Sequence, residues 1–199
     1  METHKKFNNT PNEHIVFRHT SEKGTQIYDY WISRAVAVVG VIFAIKENNM
    51  HVLITKRSDK MCDEPNKHCV PCGYLDWDET CFDAMHREVY EETNLYLPDY
   101  KDYLVYNNKQ QPIYIKDSPS DNRQNVSMIY LSVYNFNPRP DLFPIDIENY
   151  TTNEVKLVKW MPLIEFYSNY NNMEWAFHHE KTIMLAVEQF NNISNNITL

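Results

Sequence analysis

The chain has 199 residues, 43% of them hydrophobic and 23% charged. That balance supports one folded domain and excludes both two large domains and a wholly disordered chain. Nineteen Lys and Arg against 27 Asp and Glu leave a formal charge of −8, so no sequence-independent attraction to a nucleic-acid backbone is expected.

Residues 1–12 are polar, with Lys5 and Lys6 but no apolar targeting segment, and read as a flexible N-terminus. Residues 13–33 are expected to add strands that help pair subunits, which makes a homodimer an expectation. Residues 34–46 hold a β-branched apolar run, Ala-Val-Ala-Val-Val-Gly-Val-Ile-Phe-Ala-Ile, the pattern of a strand buried on both faces. This longest apolar run is far short of the ~20 residues a membrane span requires, so a cytoplasmic, membrane-free protein is expected. Asn48-Asn49 supply turn chemistry, and 51–55 reads as a second strand ending in Lys56-Arg57-Ser58, so the two strands make a hairpin.

Residues 69–74 form a short extended stretch, followed by the acidic turn Asp76-Trp77-Asp78. A helix is predicted from Thr80, which can cap it with Asp83 as reciprocal partner, because Phe82, Met85 and Val89 recur at helical spacing. Asn94 is the stop, since Asn tolerates the left-handed conformation that follows a helix. Strands are expected over 102–106, 113–115, 126–136 and 155–161, with a polar loop at 117–125 and an irregular Pro-rich segment at 137–152. A short helix starts at 163–167, a terminal amphipathic helix covers 175–190, and 191–199 frays. The single domain runs from 13 to 190.

The segment from Gly73 to Leu95 is the most informative. On a helix Glu88 shares a face with Glu91 and Glu92, and such like-charge pairs cost roughly 0.2–0.5 kcal/mol each. The same acids occupy the last two turns, where the helix dipole is already negative and cations are preferred. Arg87 can reach Glu91, yet one cation does not balance three carboxylates. A hard divalent cation, Mg²⁺ or Mn²⁺, takes oxygen ligands and keeps positions for water and phosphate, which suits an open acidic face. A solvated helix face is the alternative for the bare Arg-Glu-x-x-Glu-Glu string.

Gly73, then five residues, Glu79, then seven residues, then Arg87-Glu88-Val89-Tyr90-Glu91-Glu92 resembles the Nudix box, with Asn94 where the pattern ends in glycine. Cys72 is a second departure, standing where many relatives have the first Gly of Pro-Gly-Gly. The resemblance implies an α/β fold, an α/β/α sandwich around a central mixed sheet, in which the box holds a divalent metal over a diphosphate. It implies Glu88, Glu91 and Glu92 as metal ligands with the Gly73 carbonyl, Glu79 as support and Arg87 as the residue that holds the glutamates. The activity implied is metal-dependent hydrolysis of a nucleoside diphosphate linked to another moiety.

For the proton-accepting carboxylate, Glu88 is the first choice by its position in the box, and Glu154, just before the strand at 155–160, is the alternative; an ordinary exposed acid is an equally good reading of Glu154. Lys56 and Arg57 are candidates for phosphate contacts, with surface solubility as the competing reading, and Arg123 is a weaker candidate in the polar loop. Tyr28, Tyr30, Trp31 and Trp77 could stack a base or fill a core.

Cys62, Cys69, Cys72 and Cys81 read as thiols, since a Cys69-x-x-Cys72 half-ribbon lacks a paired second half for zinc. His178 and His179 are adjacent and cannot share a helix face, so they do not make a metal pair. The stretch Ala176-Phe-His-His179 is instead weakly similar to ADP-ribose-type Nudix hydrolases and related sugar-nucleotide sensors, which places ADP-ribose or another sugar nucleotide first among substrates. Two other functions compete. A non-catalytic ligand sensor usually carries a winged DNA-binding extension, whereas only nine residues follow Phe190 here; an isomerase of diphosphate esters needs further acid–base residues that the sequence does not reveal.

Overall fold

The computed structural model describes residues 14–21, 24–31, 35–108, 111–117 and 125–196. Two strands, β1 (His14–Ser21) and β2 (Gly24–Trp31), form an antiparallel pair of their own. The main sheet is built from β3 (Ala35–Lys46), β4 (Asn49–Arg57), β5 (His68–Cys69), β6 (Cys72–Tyr74), β7 (Leu104–Asn107), β8 (Tyr114–Lys116), β9 (Asn125–Asn135) and β10 (Val155–Pro162). Its spine runs β10-β4-β3-β9-β7, with β5 on β4, β6 on β3 and β8 on β9. Among the described strands of this sheet β3 and β9 are the pair that runs parallel, the other pairs being antiparallel, so the sheet is mixed.

The long apolar run becomes the central strand for the reason the sequence suggests. Along β3, Val38, Ile42 and Ala44 join one core while Val39, Val41 and Phe43 join another, so successive side chains feed opposite faces of one strand. Helix α1 (Cys81–Thr93) covers the first face through Ala84, Met85 and Val89. Helices α2 (Leu163–Asn169) and α3 (His179–Asn196) cover the second through Phe166, Ile183 and Ala186. Completely buried side chains such as Ile42 and Phe43 are each worth about 1.5–3 kcal/mol in transfer from water. Gly40 lets α1 approach: a Cβ there would stand 3.1 Å from Met85 Cγ and Sδ and from Val89 Cγ2.

Both ends of α1 form as the sequence indicates. The Asp83 amide donates to Thr80 Oγ1 (3.2 Å), and the hydroxyl donates in return to Asp83 Oδ2 (2.6 Å). Asn94 takes the left-handed conformation, φ 59° and ψ 16°, and its amide donates to the Tyr90 carbonyl.

Two segments depart from expectation. Residues 102 and 103 belong to a 3₁₀ segment, Leu97–Tyr103, so the strand placed at 102–106 begins at Leu104; Pro98 presets a helical φ at its start. The terminal helix does not begin at 175. Residues Ala176–His178 make one 3₁₀ turn in which Phe177 and His178 have φ of 60° and 61°, and α3 starts after this break and runs to Asn196, beyond the predicted end at 190. The strand predicted over 113–115 sits one residue later. Most of the polar loop at 117–125, Arg123 included, lies outside the described residues, as do 1–12.

Candidate active site

The site begins with a glycine. On β6, paired to β3 through Val38 and Gly73, Gly73 faces the inner side of α1. A Cβ at this position would fall 2.0 Å from Glu88 Oε1 and 2.1 Å from Glu88 Cδ. The carboxylate therefore lies in the space that any other residue would fill.

Arg87 organises the acids around it. Its Nε and Nη2 reach the Glu79 carboxylate, with Nη2 at 2.8 Å from Oε1. Nη1 donates to Glu88 Oε1 at 2.7 Å and to Glu91 Oε2 at 2.9 Å. Nη2 also donates to the Tyr74 carbonyl. A planar fork with donors pointing several ways can make these bonds at once. Glu79 in turn accepts from the Asp76 amide at 2.9 Å, fixing the turn that leads into α1. Bonding to Arg87 holds the Glu79 carboxyl below its ordinary range, and its carboxylate partners raise the arginine further.

Glu92 is placed differently. It is 4% exposed, and among the described residues the ion pairs of Arg87 reach Glu79, Glu88 and Glu91 but not Glu92. Its Oε2 accepts from the Cys72 amide at 3.3 Å. Burial pushes its carboxyl well up, the negative charge of neighbouring groups adds to this, and Arg57 works against it. Burial also raises Glu88; Arg87 opposes the shift, while Glu91 and Glu154 reinforce it.

Glu154 therefore reaches the electrostatic neighbourhood of Glu88. The Glu154 carbonyl accepts from the Ser58 amide (2.7 Å) at the end of β4, and the register slips between Val155 and Leu157, so a bulge in β10 lies beside the site. Arg57 is mostly buried: its Nε donates to the Asp63 carbonyl at 3.1 Å, and the Phe177 ring covers its guanidinium at 4.9 Å. Lys56 is half-buried and opposite His68, where its charge depresses the imidazole after burial has done so. The structure thus brings Gly73, Glu79, Arg87, Glu88, Glu91 and Glu92 together, and places Glu154 at the start of β10 beside the end of β4 that carries Arg57.

Sequence reasoning passed over a second layer. The aromatic Phe177 is carried to Arg57 by the backbone break before α3, and His179, 4% exposed, accepts from the Val70 amide through Nδ1 at 3.2 Å. The unused signal was the interruption of helical periodicity at Ala176-Phe-His-His179. Among the described residues no three His, Cys, Asp or Glu side chains stand as a ready-made metal cage. The acids fit a hard cation in other respects: their donors are all carboxylate oxygen, and Glu92 is a buried acid whose described bond is to one amide.

An acidic helix clamped by one arginine and docked over the glycine of a short strand on a mixed sheet, with helices on both faces, defines a Nudix fold carrying its box. A NUDIX domain family model matches residues 34–185, and the chain belongs to the Nudix family of hydrolases. Among solved structures, a MutT/nudix family protein from Listeria innocua is 17% identical, with a TM-score of 0.57 and a match over 83% of this chain and 99% of that one. The NUDIX domain of Shewanella oneidensis NrtR, complexed with ADP ribose, is 20% identical with a TM-score of 0.54, covering 80% and 90%. An Ap4A hydrolase from C. elegans is 17% identical with a TM-score of 0.56, covering 82% and 99%. At these identities the likeness is one of fold. No curated protein matches the chain.

Proposed function

We propose that the chain is a metal-dependent pyrophosphohydrolase that cleaves the diphosphate of a nucleoside diphosphate linked to another moiety, with ADP-ribose or a sugar nucleotide as the leading class. The observation that carries the reading is the seat of Glu88, whose carboxylate occupies the Cβ space of Gly73 while Arg87 ties it to Glu79 and Glu91. A solvated helix face has no use for such a fit. Glu88, Glu91, Glu92 and the Gly73 carbonyl would hold Mg²⁺ or Mn²⁺, which neutralises phosphate oxygens and lowers the pKa of a bound water.

The chain's own residues do the rest. Glu79 and Arg87 fix the rotamers of the acids, because each bond of the fork removes a freedom of a carboxylate it touches. Glu88 would take the proton from the attacking water, because Arg87 holds its buried carboxylate in place among the acids that would carry the metal. Glu154 is the alternative acceptor. Arg57, and Lys56 at the same strand end, supply positive charge toward the substrate phosphates, and Arg123 is retained as a third such cation. A cytoplasmic homodimer completes the proposal. A nucleic-acid partner is not part of it, on the strength of the −8 charge, although NrtR has been crystallised with DNA.

The test is a panel of nucleoside diphosphate compounds with Mg²⁺ and with Mn²⁺, read as phosphate released after coupling to a phosphatase. Turnover of ADP-ribose or a sugar nucleotide that vanishes in Glu88→Gln and Glu92→Gln supports the proposal. Absence of turnover across the panel replaces it with the sensor reading.

A further inference from the structure

The turn that leads into α1 carries an aromatic side chain out of the fold. Trp77 is 96% exposed, whereas Trp160 is buried with its Nε1 donating to the Pro144 carbonyl (3.0 Å), and Trp175 packs on Phe166 with its Nε1 on the Tyr170 carbonyl (3.1 Å). An indole left in water forgoes the transfer free energy that makes tryptophan highly buried on average. Of the two readings that the sequence leaves open for Trp77, core packing is therefore excluded and stacking remains.

The backbone beneath the indole is fixed. The Leu75 amide donates to the Val36 carbonyl of β3 at 3.1 Å, and the Tyr74 carbonyl accepts from Arg87 Nη2 at 2.9 Å. The Asp76 amide donates to Glu79 Oε1 at 2.9 Å, and the Thr80 hydroxyl caps the helix three residues after Trp77. Asp76 Oδ2 also stands 3.9 Å from Arg87 Nε. Trp77 is thus one residue, about 3.8 Å along the backbone, from a side chain that meets the arginine bonded to Glu88 and Glu91. Tyr74, at the other end of the turn, is 60% exposed, so aromatic side chains flank the clamp.

We infer that Trp77 is the platform on which the base of the substrate stacks, and so the residue that makes the site prefer a nucleoside. A diphosphate held over Glu88 and Glu91 leaves its nucleoside to extend past the rim, and the turn at 74–79 is the rim beside the arginine clamp. Every nucleobase has a π face, so an indole takes one by stacking with little regard to which base it is. The bonds that fix the turn keep the ordering cost of such a platform small. The neighbouring acids argue against other occupants of an exposed indole. Asp76 and Asp78 flank it in a chain of charge −8, which repels an anionic lipid surface, and an interface with a second copy would set carboxylates against carboxylates. A base is neutral, and stacking leaves both acids in water.

The effect on turnover rests on the hydrolase reading; the stacking does not. Tryptophan emission of the full chain is followed as AMP, and separately ribose 5-phosphate, is added with Mg²⁺, and the best nucleoside compound of the panel is assayed in parallel. Expected is quenching by AMP and none by ribose 5-phosphate, which has the sugar and phosphate but no base. Trp77→Phe, which keeps a stacking ring but loses the reporter, should show no quenching. Trp77→Ala is expected to raise KM about five- to a hundredfold with kcat unchanged, and Trp77→Phe to recover most of that loss, a split that a merely structural residue does not give. Both variants should melt with the parent, since the side chain lies outside the core. An unchanged KM in Trp77→Ala, no quenching by AMP, equal quenching by ribose 5-phosphate, or AMP quenching that survives in Trp77→Phe overturns the inference. So does an emission shift on anionic vesicles with no response to AMP, or self-association that Trp77→Ala abolishes. If the chain hydrolyses nothing, the hydrolase reading has failed, and the AMP titration still decides whether Trp77 takes a base.

Discussion

The Glu88 carboxylate fills the space that a side chain at Gly73 would need, with Oε1 only 2.0 Å from where a Cβ would stand. The contact couples a strand and a helix that are fifteen residues apart in sequence and makes the glycine a property of the glutamate. Gly73→Ala must evict a buried acid that is bonded to Arg87, so it is expected to cost about 1–3 kcal/mol as overpacking. Displacing Glu88 by about 1 Å should lower turnover on the order of a hundredfold. Urea unfolding and steady-state kinetics check the two effects separately; a fully active Gly73→Ala variant would show that Glu88 does not work from this position.

Arg87 joins Glu79, Glu88, Glu91 and the Tyr74 carbonyl through one planar group. Lysine keeps the charge but has neither the span nor the fork. Arg87→Lys is therefore expected to lose about 2 kcal/mol of stability, the scale of a charged hydrogen bond left unmade. Hydrogen exchange across 74–80 should quicken, because that turn loses its anchor. If Arg87→Lys unfolds like the parent chain, the clamp is ornamental.

How far the sequence reads the molecule depends on the range of the interaction. Thr80, Asp83 and Asn94 bond within one or two turns of themselves, so both ends of α1 are visible in local spacing. The two-faced burial of β3 likewise follows from an uninterrupted apolar run. The Arg87–Glu91 contact is legible as a four-residue spacing, but the Arg87–Glu79 bond depends on how the turn at 76–79 folds back. Nothing in local periodicity shows that Phe177 will cover Arg57, since 120 residues separate them and the meeting requires two positive φ values. The 3₁₀ segment Leu97–Tyr103 takes in Asp102 and Tyr103 because Pro98 starts it, whereas Tyr103 reads in the sequence as part of the apolar run that continues through Leu104 and Val105.

Glu92 supplies a pH prediction of unusual sign. Its carboxyl is raised in the folded chain by burial, so below the ordinary carboxylate range the acid is neutral in both states and costs nothing. As pH climbs past that range the unfolded chain releases its proton first, the folded chain binds more protons, and stability declines until the raised folded value is passed. Glu88 adds in the same direction, whereas Glu79, held low, contributes oppositely near its own range. In chelator, Glu92→Gln is expected to be more stable than the parent at pH 8 and close to it at pH 4, while losing activity. Urea curves at the two pH values decide; an equal gap at both contradicts the burial argument.

Divalent cations should act on stability before any substrate is added. A ligand that binds only the folded chain stabilises it by mass action, about 2.7 kcal/mol at a hundred times its dissociation constant. Mn²⁺ or Mg²⁺ is expected to raise the melting temperature of the parent chain and to leave Glu92→Gln nearly unmoved. Ca²⁺ at equal concentration controls for simple charge screening. A parent chain indifferent to both metals, with nucleotide present or absent, removes the metal from the mechanism.

Asn94 tests whether the departure from the glycine of the family pattern carries any cost. The residue sits at φ 59° and ψ 16°, with its amide on the Tyr90 carbonyl at 2.7 Å, a conformation that glycine enters freely and asparagine tolerates. Asn94→Gly keeps the backbone bond and is expected to shift stability by less than about 1 kcal/mol. Asn94→Ala keeps both the bond and the Cβ but loses the short polar side chain that makes the left-handed conformation tolerable, at a cost of about 1 kcal/mol. Both leave the carboxylates of Glu88 and Glu91 on Arg87, so activity should survive in each below its melting temperature. An alanine variant as stable as the glycine variant would mean that the helix end relaxes out of the left-handed conformation, and hydrogen exchange at the Asn94 amide reports that directly.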